Sequence, residues 1–157
     1  MCLKLCQRQL NLLRSVVLDF LEKRKSLFIY LPLTVYWIIL LLLTSLPGED
    51  LPKSISFNDK LEHLSSFFIL SVLLTLAFKA QNRFLNLKKR YLLSALIATS
   101  VYGALDELHQ LFIPGRSCDF FDWTADTTGA LIGICFMALV IFIDRRNLAK
   151  QTALKLM

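Results

Sequence analysis

Residues 27–46 read LFIYLPLTVYWIILLLLTSL, twenty positions without a charge. A helix rising about 1.5 Å per residue needs about 20 apolar residues to cross the ~30 Å hydrocarbon core of a bilayer. Residues 123–143, WTADTTGALIGICFMALVIFI, form a second such block, with Asp126 as its one charge. Two weaker blocks lie between them. Residues 61–78 carry Glu62 and His63 in their first turn. Residues 91–105 are apolar, and their helix is expected to run on through 106–111 until Pro114-Gly115 breaks it. The fold class read from this pattern is all-α integral membrane, a bundle of about four transmembrane helices.

Composition agrees. The chain has 157 residues, 55% hydrophobic and 19% charged, against about 45–50% and about 25% in average globular chains. A soluble globular fold, a disordered tail, a collagen-like chain and a disulfide scaffold are excluded as leading readings. In residues 1–26, Leu10, Leu13, Val17 and Phe20 recur at helical spacing among six basic residues, the pattern of an amphipathic helix on the membrane surface. Arg14 interrupts what would be a signal-peptide core, and no small-residue cleavage site follows residue 46, so the first span is expected to stay as an anchor. The expected organisation is a basic amphipathic segment (1–26), a transmembrane domain (27–143) and a basic tail (144–157).

The net charge of +6 sits at the ends of the spans, which argues against nucleic acid as a partner. Fifteen of the 18 Lys and Arg fall in residues 1–26, 79–90 and 144–157, and three fall in the other two loops. The positive-inside rule then places both termini in the cytoplasm. Cys2, Cys6, Cys118 and Cys135 form no C-x-x-C pair, and no disulfide framework is expected.

Polar residues concentrate on the side this topology puts outside. Asp59 and His63 are i,i+4, so the carboxylate is placed to orient the imidazole, and Lys60 lies beside them. Asp106 and Gln110 are i,i+4, Glu107 and Gln110 are i,i+3, and Thr99, Ser100 and Gly103 continue that stripe. Asp122 and Asp126 are i,i+4 and lead into Gly129-x-x-x-Gly133, a spacing that lets helices approach closely. Ionisable groups at or inside a membrane boundary are costly, so they pair and often serve function. Three polar stripes at one depth imply an outward polar pocket, with Arg116 in a tight loop above it. Bland roles compete: Asp59 as a helix cap, Lys60 and His109 as interfacial residues, the Asp106, Glu107 and Arg116 charges as a structural network. Two histidines without H-E-x-x-H give no diagnostic metal motif. A divalent ion on His63, Glu107 and Asp122 is the minor possibility, and no metal or cofactor is expected.

The ordered set Asp59-Lys60-x-x-His63, Asp106-Glu107-x-x-Gln110-x-Phe112-x-Pro114-Gly115-Arg116 and Asp122-x-x-x-Asp126-x-x-Gly129-Ala130-x-x-Gly133 resembles the VanZ-like family of bacterial membrane proteins, over about residues 27–143. The family often has Asn where this chain has Asp126, a departure that adds a charge or a titratable proton. The resemblance implies a multi-pass protein of the bacterial cell (inner) membrane. Its founding member accompanies a glycopeptide-resistance cluster and is associated with low-level teicoplanin resistance. The motif residues carried over are Asp59, Lys60, His63, Asp106, Glu107, Gln110, Arg116, Asp122 and Asp126, and the resemblance assigns none of them a catalytic role.

Three functions follow as expectations. The first is binding of an envelope-lipid head group, a lipid-linked envelope precursor or a lipoglycopeptide through Lys60, Gln110, Arg116, Asp122 and Asp126. The second is an enzyme acting on a lipid-linked substrate, with His63, oriented by Asp59, as acid or base, Asp106 or Glu107 as its counterpart, and Arg116 on the developing charge. The third is a structural membrane protein whose polar network serves packing.

Overall fold

The computed structural model describes Arg24, residues 26–47 and residues 59–156. The expected surface helix in residues 1–26 lies outside the described residues except for Arg24 and Ser26, and the side chain of Asp59 lies outside them too. Helices are the regular structure throughout this part: a π turn Ser26–Tyr30, then α1 (Leu31–Thr44), α2 (Asp59–Ala80), α3 (Leu85–Lys89), α4 (Tyr91–Gln110) and α5 (Phe120–Leu156). Three stretches, Leu27–Thr44, Lys60–Ala80 and Phe120–Leu154, are long and apolar enough to cross a membrane.

The two elements that hydropathy alone did not predict have local causes. Pro32 has no N–H to give to the Phe28 carbonyl, so the chain enters α1 through a wider π turn. In the basic loop, both ends of the Gln81 side chain bond the Phe84 backbone, which fixes the bend from which α3 starts. The tail beyond residue 143 continues α5 rather than leaving it.

α2 is the central helix, packed against α5, α4 and α1. Its tightest seam is with α5. A Cβ on Gly129 would collide with the Leu64 carbonyl, and one on Gly133 would meet the Ser71 hydroxyl and the Phe68 carbonyl. The spacing read as a close-approach motif therefore does bring two backbones together. α1 packs on α2 and touches α4. Leu40 joins Phe67 and Leu70 in a small apolar core. Trp37 meets Tyr102 edge to face at 5.3 Å, and the Tyr36 hydroxyl donates to the Ser66 carbonyl at 3.0 Å. Cross-helix contacts set the order of the ends: Lys60 reaches Asp122, Glu107 reaches Asp119, and Arg116 reaches Leu43. The start of α2, the end of α4, the start of α5 and the end of α1 thus share one end of the bundle, and the α2–α4 loop lies at the other.

Candidate functional site

The common end is where the polar stripes meet. On α4 the buried positions are Ala95, Thr99, Gly103, Asp106, Glu107 and Gln110, a single face that turns from small to acidic toward the C-terminus. On α5 the matching face begins with Asp122 and Asp126, which are 7% and 0% exposed. On α2 it is His63, one turn before buried Phe67.

Two networks share this end. The inner one is a histidine–carboxylate pair, His63 Nδ1 to Asp126 Oδ1 at 2.9 Å. The second oxygen of Asp126 is buried without a hydrogen-bond partner among the described residues and lies against Gly103, whose missing Cβ makes room for it. Glu107 completes a cluster: one ligand-capable atom each from His63, Glu107 and Asp126 lie within 4.8 Å of one another. Beside it the Gln110 amide donates to Asp106 at 3.1 Å and, at 3.5 Å, to Glu107.

The outer network forms the rim. The Lys60 ammonium bridges Asp122 at 2.6 Å and Asp119 at 3.3 Å, with half of its side chain exposed. Asp119 also caps α5, accepting from the Phe121 N–H at 2.8 Å, while its own N–H donates to Glu107 at 2.8 Å. The Phe121 N–H, and after it the Lys60 ammonium, hold the Asp119 carboxyl below its ordinary range. The two networks are thus stitched together through one loop residue.

A family model described as VanZ/LLP1 matches residues 15–142. The chain belongs to the VanZ/LLP1 family. No curated protein and no solved structure matches it.

In this VanZ/LLP1 protein the structure brings Lys60, His63, Asp106, Glu107, Gln110, Asp122 and Asp126 to one end, as the three stripes imply. Arg116 is placed differently. Its guanidinium donates to the Leu46 and Leu43 carbonyls at 3.3 and 3.4 Å, so it closes the end of α1 instead of standing over the carboxylates. A helix C-terminus presents unpaired carbonyls and a partial negative charge, which attract a guanidinium. The carboxylate seen on His63 is Asp126, from another helix; the expected Asp59 partner has its side chain outside the described residues. The minor metal set of His63, Glu107 and Asp122 also changes, because Asp122 turns to Lys60 and Asp126 takes its place.

Asp119 was missed as a site residue. Its signal was present, an Asp directly before an apolar helical run, which is an N-cap pattern. Ser100 and Trp123 tie α4 to α5 behind the site, through Ser100 Oγ to Thr127 Oγ1 at 2.9 Å and the Trp123 indole N–H to the Ser100 carbonyl at 3.1 Å.

Proposed function

We propose that this VanZ/LLP1 protein is a four-crossing protein of the bacterial cell membrane, with both termini cytoplasmic, whose polar chamber faces outward and binds the phosphate-bearing head group of an envelope lipid. α4 supplies the fourth crossing. Twenty helical residues rise about 30 Å, and its acidic last turn sits among polar partners rather than lipid. The single observation that carries the reading is the convergence of buried Asp106, Glu107, Gln110, Asp122 and Asp126 from two helices on a rim where Lys60 stays half exposed. Retaining so many polar groups in an apolar bundle is costly, and Lys60 offers a cation to an arriving phosphate. A lipidated glycopeptide such as teicoplanin would reach the same rim from the outer leaflet, and masking of its target or of the drug would follow from binding alone.

Native mass spectrometry in nanodiscs with a polyprenyl-phosphate lipid tests this. We expect a saturable adduct of unchanged lipid mass, weakened about tenfold or more by Lys60→Ala, in line with the loss of one charge-assisted hydrogen bond. No adduct, or one indifferent to Lys60→Ala, overturns it.

One observation favours a second reading. A buried imidazole held by a carboxylate, with Glu107 across from it, is also the nucleus of a site for hydrolysis or group transfer at a phosphate or ester. A new product mass, lost in His63→Ala, would establish that reading in place of binding alone.

A further inference from the structure

At the site end of the bundle, among the described residues, the buried acids outnumber the cations that reach them. Lys60 pairs with Asp122 and Asp119 at the rim, and Arg116 bonds the end of α1. Asp106, Glu107 and Asp126 are each 3% exposed or less. Among the described residues their partners are the Gln110 amide, the Asp119 N–H and the His63 ring. No Lys or Arg among the described residues touches them. Three carboxylates and one imidazole in a low-dielectric interior need positive charge, supplied either by protons or by a metal ion.

The orphan oxygen of Asp126 favours the ion. Ionised, Asp126 Oδ2 needs a donor; carrying the proton itself, it needs an acceptor. It has neither. A metal–oxygen bond satisfies it without either. The oxygen lies against Gly103, one helical turn before Glu107 on the same face of α4, and Glu107 shares the cluster with Asp126.

We propose that His63, Glu107 and Asp126 bind one divalent transition-metal ion. Three helices contribute one ligand each, and the donor atoms lie within 4.8 Å of one another. Ligands at about 2.0–2.2 Å around a tetrahedral ion sit roughly 3.4 Å apart, and Glu107, the longest and most adjustable of the three, closes the difference by turning its side chain. One imidazole with two carboxylates suits Zn²⁺ or Mn²⁺; Mg²⁺ and Ca²⁺ prefer all-oxygen shells. Three protein ligands leave a position open, as in metal sites that take a water or a substrate. A phosphate oxygen in that position would let an acidic chamber accept an anionic head group. Only this last step rests on the head-group reading.

The test uses tag-free protein in detergent, stripped with EDTA and then titrated with ZnCl₂ and MnCl₂ by calorimetry, with retained metal counted by elemental mass spectrometry. One ion per chain is expected. Glu107→Gln and Asp126→Asn should each weaken it by about tenfold or more, and His109→Gln, off the cluster, should leave it unchanged. Mg²⁺ should bind far more weakly. Should the variants fold poorly, Co²⁺ added to the wild-type chain reads the same site, through absorption bands of a low-coordinate nitrogen–oxygen sphere. Failure of the wild-type chain to retain any of these ions, or retention that ignores both Glu107→Gln and Asp126→Asn, overturns the proposal. Ion binding without a lipid adduct supports the metal site and removes the head-group reading. A lipid adduct on a chain that holds no ion does the reverse.

Discussion

Asp126 shows how much one side chain can depend on a single partner. It has no exposed surface, one oxygen on His63 and the other on nothing. Removing His63 leaves a buried acid with no hydrogen bond, and loss of one member of a buried pair costs about 3–5 kcal/mol, whereas replacing both is often close to neutral. In EDTA, His63→Ala should therefore lower the midpoint of thermal unfolding more than the double variant His63→Ala/Asp126→Ala. The reverse order would mean that the pair is not coupled in the folded chain. The sequence made both residues suspects but could not join them. Helical spacing reports which residues share a face of one helix, and so it offered Asp59. The rotation of α2 against α5, which delivers Asp126, is not written in either helix alone. Arg116 fell outside the same kind of argument, because the carbonyls that hold it belong to every residue type and leave no mark in a sequence.

Between elements, the glycines on α5 give a sharper test than any hydropathy profile. On an exposed helix face Gly→Ala stabilises by up to about 1 kcal/mol. At Gly129 the added carbon strikes the Leu64 carbonyl, backbone that cannot swing aside, and overpacking of this kind costs about 1–3 kcal/mol. Gly129→Ala should thus destabilise the protein despite its better helix propensity, and the sign of the change in unfolding temperature is the readout. This seam was legible in advance because Gly-x-x-x-Gly has a steric meaning that survives without knowledge of the partner. The π turn and α3 were not, since one follows from a missing proline N–H and the other from a local Gln81 bracket. α1 makes fewer contacts with the bundle than α2, α4 or α5. Tyr36, Arg116 and the Trp37–Tyr102 contact hold it, and each net hydrogen bond contributes about 1 kcal/mol. Tyr36→Phe with Arg116→Ala should loosen α1 and speed protease cleavage of the loop after it, while α2, α4 and α5 stay resistant.

For the whole molecule, the arrangement of ends and the distribution of charge are independent observations that point one way. Contacts place the end of α1, the start of α2 and the 111–119 connection at one end and the 81–90 loop at the other. Lys and Arg are sparse at the first end and dense at the second, where Lys79, Arg83, Lys88, Lys89 and Arg90 cluster. Nothing in helix packing requires that asymmetry, because an apolar bundle is indifferent to which end faces the cytoplasm. Insertion into a membrane is not indifferent, since cytoplasmic loops retain the basic residues. Cysteines placed at Ser117 and at Asn82, in a chain whose own four cysteines are serine, should therefore separate in intact cells. A membrane-impermeant maleimide should label Ser117→Cys and spare Asn82→Cys until the membrane is opened. Labelling of both in sealed cells would mean that α4 does not cross. Labelling of Asn82→Cys alone would turn the chamber toward the cytoplasm, and with it the class of lipid head group that can arrive there.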